Sequence, residues 1–377
     1  MFATSRLVAL LATSQVVAST DSWCPAWFND LAPRWLEASP DIPGFQWSMW
    51  SPKCGNLHCK GVWDSPSFPA HPPLVIETPS RVASVTKPFT ALAVLTLVEE
   101  GVIDVNASVF DYLPDWGIAV LERHVGEQAH EITPWMLLHH TAGIGNPSWN
   151  KWLGYASTQL DREISLQETL EWFAENAPAV GVPGHGFAYS NTGYIYLGLL
   201  IEHVTNSTMA EVVREAAQME HLGMSSTYWE IYEDHPAGIP PKGRHYLGDF
   251  DGTDVNGSWL NYGGTGLVSS AEDLIKFART FHRGCLLGKE GMDMVYTIVP
   301  TTGQLGDGDG YGCGWAYENL FGYDAWTHRG GFGGWIYYLP ELDLAIAGTM
   351  NQLERQLSIL DWMNEVLELV LADGICV

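Results

Sequence analysis

The chain has 377 residues, 46% of them hydrophobic, which is enough to bury a large core and excludes a disordered or fibrous protein. Its 18 Lys and Arg residues against 44 Asp and Glu residues give a formal net charge of −26, which repels nucleic-acid phosphates and anionic membrane surfaces. We therefore expect no nucleic-acid partner.

Residues 1–19 have the features of a cleaved secretion signal. Arg6 precedes an apolar run that starts at Leu7, and the small residues Ala18 and Ser19 stand before a polar stretch. The alternative is the first helix of a mature core, although three polar residues interrupt the run. No later segment is long and apolar enough to span a bilayer. We expect a secreted, extracellular protein.

Six cysteines, an even number, and three Asn-x-Ser/Thr sequons fit a secreted glycoprotein in an oxidising compartment. The sequons begin at Asn106, Asn206 and Asn256. Many cysteine pairings are compatible with the sequence. The local hypothesis is a Cys54–Cys59 disulfide, because these residues flank a short turn between two strand-like segments.

The first predicted elements are a helix over residues 23–37 and strands over residues 45–50 and 59–63. A Pro-rich loop then leads into a helix over residues 84–101. This helix is apolar on most sides, which predicts burial, and it ends at a glycine.

Residues 104–255 show helical patterns and turns, and they predict no sheet of their own. A helix is then predicted from about Ala271. The remaining predictions are strands over residues 312–318, 327–339 and 342–350 and a final amphipathic helix over about 353–372. This distribution predicts one domain over residues 20–377. Its sheet comes from about 40–83 and 260–377, and a mostly helical region of about 84–259 is inserted, with a cleft between the two parts.

The sequence Ser84-Val85-Thr86-Lys87 places a hydroxyl and an amine on one face of a first helical turn. Serine needs a nearby base to become nucleophilic, and a desolvated lysine has a lowered pKa that suits this role. Ser148-Trp149-Asn150-Lys151 has the same spacing but follows no strand, so we interpret it as a chance match. Solvated surface residues are the alternative interpretation for both copies.

Tyr189-Ser190-Asn191 supplies a phenol that could relay the serine proton and an amide that could hold Lys87 or a substrate carbonyl. Tyr317-Glu318-Asn319 repeats the form. A buried tyrosine with a satisfied hydroxyl is the structural alternative.

The third motif is His328-Arg329-Gly330-Gly331 on a strand-like segment. Strand alternation predicts that Arg329 points away from the cleft if His328 lines it. The two glycines allow a substrate to approach the backbone, and an N–H here together with that of Ser84 would form an oxyanion hole.

In order and spacing the three motifs resemble those of serine β-lactamases and penicillin-binding proteins, above all the class C β-lactamase-like branch of esterases, D-aminopeptidases and acyltransferases. Leu137-Leu138-His139-His140-Thr141-Ala142-Gly143-Ile144 and the segment from Pro183 to Tyr194 also resemble this family. The resemblance implies an α/β (α+β) fold with an antiparallel sheet flanked by terminal helices. It also selects Ser84 and Tyr189 over the two repeats.

By resemblance, Ser84 is the acylated nucleophile, Lys87 and Tyr189 handle protons, Asn191 positions groups and the Gly331 N–H completes the oxyanion hole. The family's β-lactamases carry Lys where this chain has His328, and an imidazole attracts a substrate carboxylate less firmly. This difference disfavours efficient penicillin hydrolysis.

We predict a secreted serine esterase or acyltransferase that acts on a small-molecule ester or amide without a metal or organic cofactor. A D-amino-acid amidase or peptidase, or a weak β-lactamase, would share every catalytic residue. A catalytically silent binding protein on the same fold is the alternative from another class. The many aromatic residues suggest a pocket for a bulky acyl group.

Overall fold

The computed structural model describes residues 24–65, 68, 72–159, 162–248, 250–260, 262–302, 310–352 and 356–376. The expected secretion signal at residues 1–19 lies outside the described residues. The strands are β1 Gly44–Ser51, β2 Leu57–Asp64, β3 Ser80–Arg81, β4 Tyr228–Trp229, β5 Tyr246–Leu247, β6 Phe250–Asp251, β7 Leu267–Ser269, β8 Gly310–Tyr311, β9 Ala316–Leu320, β10 Tyr323–Arg329, β11 Gly334–Leu339 and β12 Leu344–Thr349.

The α-helices are α1 Ala26–Ala38, α2 Lys87–Glu99, α3 Asp115–Val125, α4 Pro134–Leu138, α5 Trp149–Ala156, α6 Leu166–Asn176, α7 Asn191–Thr205, α8 Met209–Ala216, α9 Ala271–His282, α10 Lys289–Val295 and α11 Gln356–Ala372. Short 3-10 helices cover Ala83–Thr86, Val109–Asp111, Glu127–Glu131, Gly257–Trp259 and Tyr262–Gly264. Within the described ranges, no helix is both long enough and apolar enough to cross a bilayer.

Seven strands form one antiparallel sheet in the order β2-β1-β12-β11-β10-β9-β8. The pairing of β1 with β12 joins distant parts of the chain, because Gln46 of β1 lies opposite Thr349 of β12. Small sheets of β3-β7-β4 and β5-β6 lie outside it. The predicted antiparallel sheet from both ends of the chain is confirmed.

The two faces of the main sheet are covered by different helices. Alternate residues of β1 face α1 and α11, where Trp47 packs edge-on against Trp362 with ring centroids 5.1 Å apart. The other residues of β1 point to the opposite face of the sheet, toward α9. There the Gln46 side chain accepts a hydrogen bond from the Ala271 N–H at 3.2 Å. The sheet is therefore flanked by the terminal helices on one face, as predicted.

Helix α2 is the centre of the helical region. It is apolar around its whole circumference and nearly all of its residues are buried, which is typical of a helix inside a core. It ends before Gly101, whose φ of +73° is the left-handed conformation of a helix C-terminus. Its N-terminus contacts the β10–β11 end of the main sheet, so residues 84–87 lie where the helical region meets the sheet.

The predicted Cys54–Cys59 disulfide is wrong. Cys24, just before α1, bonds to Cys59 of β2, and Cys54 bonds to Cys376, which follows α11. The terminal helices and the inward-facing residues of β2 share one face of the sheet, so cysteines at the chain ends lie beside the β1–β2 hairpin. The described cysteines also include free Cys285, which is exposed, and free Cys313, which is buried.

Two strand predictions also need correction. Residues 327–339 form two strands, because Gly330 and Gly333 close a turn in the middle of the segment through a Gly333 N–H to Gly330 C=O hydrogen bond of 3.0 Å. The helical region contains the small β5–β6 sheet although we expected none there. With two residues in each strand, these pairs are too short to give a periodic signal.

Candidate active site

Ser84 lies in the 3-10 helix that leads into α2. The residue before it, Ala83, has a φ of +48°, a left-handed conformation that is strained for alanine and that occurs disproportionately at functional sites. The Val82 N–H donates to the Leu267 carbonyl at 3.2 Å, which ties this segment to β7. The hydroxyl-bearing residue is thus held rigidly and is only 9% exposed.

Lys87 is fully buried, and its amine has three oxygen neighbours. Nζ lies 3.1 Å from Ser84 Oγ, 2.7 Å from Asn191 Oδ1 and 3.0 Å from the Gly264 carbonyl oxygen. Burial lowers the pKa of Lys87 well below its usual value, because the charged ammonium loses hydration. The amine therefore loses its proton at a lower pH than a solvated lysine does, which suits it to act as a base.

Tyr189 approaches the same two residues from the loop before α7. Its hydroxyl lies near Ser84, and its ring centroid lies 4.8 Å from Lys87 Nζ. The side chain is partly buried, and desolvation raises its pKa, which outweighs the lowering by the nearby Ser84. The phenol is protonated at neutral pH.

Asn191 is the first residue of α7, and its neighbours fix the helix start. Ser190 is the N-cap, and its Oγ accepts a hydrogen bond from the Gly193 N–H at 3.0 Å. Asn146 donates to the Tyr189 carbonyl at 2.8 Å and accepts from the Thr192 N–H at 3.1 Å. Asn146 was not among the predicted site residues, since its loop shows no periodic pattern.

Gly264 is a second residue that the motifs alone do not identify. Its carbonyl accepts from Lys87, and the neighbouring Gly263 carbonyl accepts from Thr90 Oγ1 of α2 at 2.7 Å. A Cβ on Gly263 would lie 2.3 Å from the Tyr194 carbonyl oxygen, so only glycine fits between α2 and α7 here. The glycine-rich segment before β7 therefore serves to bring a carbonyl to the lysine.

His328 lines the cleft as a neutral imidazole. Its Nδ1 lies 3.1 Å from the Arg329 carbonyl, so Nδ1–H donates there, and Nε2 accepts from the Tyr311 hydroxyl at 3.0 Å. Burial, followed by the positive charge of Lys87, lowers the pKa of His328 well below its usual value. The imidazole cannot attract a carboxylate as a cation would.

Arg329 points to the opposite face of β10, as strand alternation predicts. It donates to Glu318 of β9 at 2.6 Å, and this ion pair is largely buried. Its guanidinium is therefore held by Glu318 on that face of the sheet and does not reach the cleft. The third motif supplies no positive charge to the site.

The turn between β10 and β11 lies directly against the segment before Ser84. The Gly330 N–H donates to the Gly334 carbonyl at 2.7 Å, so this amide closes the turn. A Cβ on Gly330 would lie 2.1 Å from the Val82 carbonyl oxygen, which explains the need for glycine. Gly331 is the next residue of the turn.

The two sequence repeats lie away from these groups. Ser148 begins α5 and Lys151 is exposed, while the Tyr317 hydroxyl donates to Asp324 at 2.6 Å. The structure thus joins Ser84, Lys87 and Asn191 by hydrogen bonds, places the Tyr189 ring against the Lys87 amine and leaves the repeats out of this cluster. Among the residues that the structure describes, no three His, Cys, Asp or Glu side chains are grouped to hold a metal ion.

Known proteins include relatives of this chain. A family model described as Beta-lactamase matches residues 55–369. The chain belongs to the β-lactamase family. This family match covers the main sheet except β1, together with α2 and every residue of the cluster.

Relatives of this β-lactamase-family chain differ in activity. The chain is 34% identical over 174 residues to esterase EstB of Burkholderia gladioli. The matched residues make up 45% of this chain and 43% of the relative. The chain is 29% identical over 156 residues to monacolin J acid methylbutanoyltransferase of Aspergillus terreus, covering 38% and 36%. The matches thus span less than half of either curated relative.

The solved structures include a D-amino acid amidase from Ochrobactrum anthropi SV3 complexed with L-phenylalanine. It has a TM-score of 0.76 and 20% identity, with coverage of 93% of this chain and 99% of that chain. At this identity the similarity establishes the fold. The family therefore supports an enzyme: the curated relatives include an esterase and an acyltransferase, and an amidase shares the fold.

Three aromatic residues that pack together are close in sequence to residues of this β-lactamase-family site. The ring centroids lie 6.1 to 6.2 Å apart in the cluster of Trp149, Trp259 and Phe332. In the sequence, each of these residues is only a few positions from a segment that contributes to the site. Trp149 follows Asn146, and Phe332 follows the glycine turn. Both tryptophan indole N–H groups are buried without a hydrogen-bond partner.

Proposed function

We propose that the protein is a secreted serine hydrolase or acyltransferase that forms an acyl-enzyme on Ser84 with an ester carbonyl. The observation that carries the proposal is the position of Lys87 Nζ, 3.1 Å from Ser84 Oγ, with the Tyr189 ring centroid 4.8 Å from the same amine. A nucleophile and two proton-transfer groups within hydrogen-bonding range are the parts that acyl transfer requires.

Lys87 acts as the general base. A neutral amine has two N–H groups and one lone pair, and the Asn191 and Gly264 oxygens match the two N–H groups. The lone pair then faces the third neighbour, Ser84 Oγ. The serine proton moves to Nζ as Oγ forms its bond to the substrate carbonyl carbon.

Tyr189 acts as the general acid. Its protonated phenol donates a proton to the leaving oxygen as the tetrahedral intermediate collapses, and the proton held by Lys87 returns to the phenolate. No net charge is created in the buried cluster by this cycle. Deacylation by water or an alcohol reverses the same transfers, so hydrolysis and acyl transfer use the same residues.

The oxyanion of the intermediate is held by the N–H groups of Ser84 and Gly331. Gly330 is left out of this role because its N–H already donates to the Gly334 carbonyl. The loss of one oxyanion-hole donor typically lowers the rate about 10²- to 10³-fold. Gly330 instead fixes the distance between the two donors.

Esters without a carboxylate are the favoured substrates. His328 is neutral, and Arg329 is paired with Glu318 on the other face of the sheet, so neither supports binding of a β-lactam carboxylate. The esterase among the relatives agrees with this choice. Penicillins should therefore be poor substrates, and matched ester and amide substrates test the amidase alternative. A preference for the amide would overturn the ester assignment.

A bulky acyl group fits the aromatic cluster of Trp149, Trp259 and Phe332. Aromatic side chains provide large apolar contact areas. Longer or aromatic acyl esters should react faster than acetyl esters. Faster turnover of acetyl esters would contradict this assignment.

Intact-mass spectrometry after exposure to a fluorophosphonate and to an ester panel tests the nucleophile. Ser84→Ala should lose the mass gain that the wild type shows. Ser148→Ala is the matched control, because it removes the serine of the repeated motif and its side chain makes no capping bond in α5. Labelling of Ser84→Ala at the wild-type rate, or no labelling of folded wild type, would refute the proposal and favour a binding protein.

Secretion after cleavage of residues 1–19 is part of the same proposal. Two disulfides and the exposed asparagines of all three sequons support it. The culture medium of a eukaryotic host expressing the full chain should contain protein that begins near residue 20 and loses mass on treatment with a peptide N-glycosidase. Retention of residues 1–19 in the cell-associated protein would contradict this.

A further inference from the structure

His140 binds the loop that carries Tyr189 at the residues on either side of the tyrosine. Its carbonyl accepts a hydrogen bond from the Ala188 N–H at 2.8 Å, and its ring Nδ1 accepts from the Ser190 N–H at 3.0 Å. These two amides belong to the residues immediately before and after Tyr189. One residue therefore fixes the backbone on both sides of the phenol.

The His140 ring also packs against the phenol itself. The ring centroids of His140 and Tyr189 are 4.3 Å apart, and the Tyr311 ring lies at 4.6 Å on another side. The imidazole is 1% exposed. A displacement of this ring would therefore move the Tyr189 side chain as well as its backbone.

The hydrogen bonds determine the tautomer of His140. Because Nδ1 accepts from the Ser190 N–H, the proton of a neutral ring is on Nε2. Nε2 is buried and has no hydrogen-bond partner. Burial, with the nearby charge of Lys87, lowers the pKa of His140 well below its usual value, so the ring keeps its acceptor.

The backbone of His140 is unusual as well. Its φ is +57°, which is uncommon outside glycine, although asparagine and histidine tolerate it better than other residues. The conformation turns the chain after α4 so that the carbonyl and the ring face the same loop. A buried donor without a partner and a left-handed residue both carry a free-energy cost, which structural packing alone does not require.

We propose that His140 is a positioning residue that sets Tyr189 against Ser84 through the two flanking hydrogen bonds and the ring contact. The inference rests on the proposed role of Tyr189 in acyl transfer. It assigns to His140 no contact with the substrate. The neighbouring His139 has no such role, since its ring nitrogens contact the Trp135 and Thr297 carbonyls.

Two substitutions separate the acceptor from the rest of the ring. His140→Gly keeps the left-handed backbone and removes the side chain, while His140→Asn tolerates the same φ and places an amide oxygen near the position of Nδ1. His139→Ala removes the adjacent buried imidazole as a control for packing. The measurement is the rate constant for acylation of Ser84 by an alkyl ester, whose leaving oxygen needs a proton; this rate is followed by intact mass and called the labelling rate, and the thermal unfolding midpoint is measured alongside.

His140→Gly should reduce the labelling rate about 100-fold, because a misplacement of about 1 Å in a reacting group has an effect of this size. His140→Asn should recover most of the rate, and His139→Ala should stay within about threefold of wild type even if its unfolding midpoint falls. Labelling of His140→Gly at the wild-type rate, equal losses in the Gly and Asn variants, or a His139→Ala loss as large as that of His140→Gly would each overturn the proposal.

Ring nitrogen NMR on the wild-type protein reads the tautomer of His140 directly. The His140 signals, assigned by their loss in His140→Asn, should show a protonated Nε2 and an unprotonated, hydrogen-bonded Nδ1 at neutral pH. The opposite tautomer would overturn the proposal. If the folded wild type shows this tautomer but is never labelled at Ser84, the proposed function fails while the contact of His140 with residues 188 and 190 stands.

Discussion

Gly330→Ala is the sharpest test of the geometry around Ser84. The new Cβ would lie 2.1 Å from the Val82 carbonyl oxygen, a backbone atom, whereas a carbon–oxygen contact needs about 3.3 Å. Either the β10–β11 turn or the Val82 segment must therefore move by about 1 Å. Both choices change the separation of the Ser84 and Gly331 N–H groups, because each segment carries one of them.

The expected result is a labelling rate about 10²-fold lower than wild type, the size associated with a misplacement of about 1 Å or the loss of one oxyanion donor. The assay is time-resolved intact-mass labelling by a fluorophosphonate, run well below the unfolding midpoint. Gly154→Ala is the control, because a Cβ there meets no atom within 4 Å and alanine favours helix α5. Labelling of Gly330→Ala within about threefold of wild type would refute the oxyanion-hole assignment.

Three further predictions concern protons and covalent links. Because burial lowers the Lys87 pKa, the acylation rate should rise with pH and level off well below 10.5, and a rise that continues through 10.5 would contradict a neutral-lysine base. Burial lowers the His124 pKa from 6.5 to about 4. As pH falls through this range, the unfolded chain binds a proton at this histidine and the native state does not. The native state therefore loses about 3 kcal/mol of stability, at 1.36 kcal/mol per pH unit. Urea unfolding of His124→Leu at pH 7.5 and 4.5 should show less acid destabilisation than wild type, and an equal loss would argue against this residue. Replacing Cys54 and Cys376 by serine should lower the free energy of unfolding by about 2–5 kcal/mol, whereas an unchanged urea midpoint would show that their link does not stabilise the fold.

Local patterns in the sequence predicted most of the fold and the centre of the site. The main strands at both chain ends lie in segments with strand-like patterns. Helix α2 follows from a long apolar segment that ends at a glycine, and Ser84 and Lys87 are related by one helical turn. The same holds for Tyr189 and Asn191, which lie on either side of a helix N-cap. These features depend on neighbours in the chain, so sequence reasoning reaches them.

Contacts between distant residues were beyond such reasoning. The Gly264 carbonyl contacts Lys87, which is 177 positions away in the chain. The side chains of Asn146 and His140 bind backbone atoms of the Tyr189 loop, and such atoms are present in any sequence. The incorrect disulfide arose in the same way, because the proximity of Cys54 to Cys376 follows from the packing of α11 on the sheet. Side-chain direction was predictable on a strand, which is why Arg329 was expected on the far face.

The pairing of β1 with β12 also affects how the protein is made. Residue 46 leaves the ribosome long before residue 349, and at about 5–20 residues per second the interval is on the order of 15–60 s. During this time the β1–β2 hairpin presents an open edge, and Cys54 has no native partner while Cys24 and Cys59 can already join. Efficient production in a heterologous host will therefore depend on chaperones that cover this edge and on an isomerase that corrects premature oxidation.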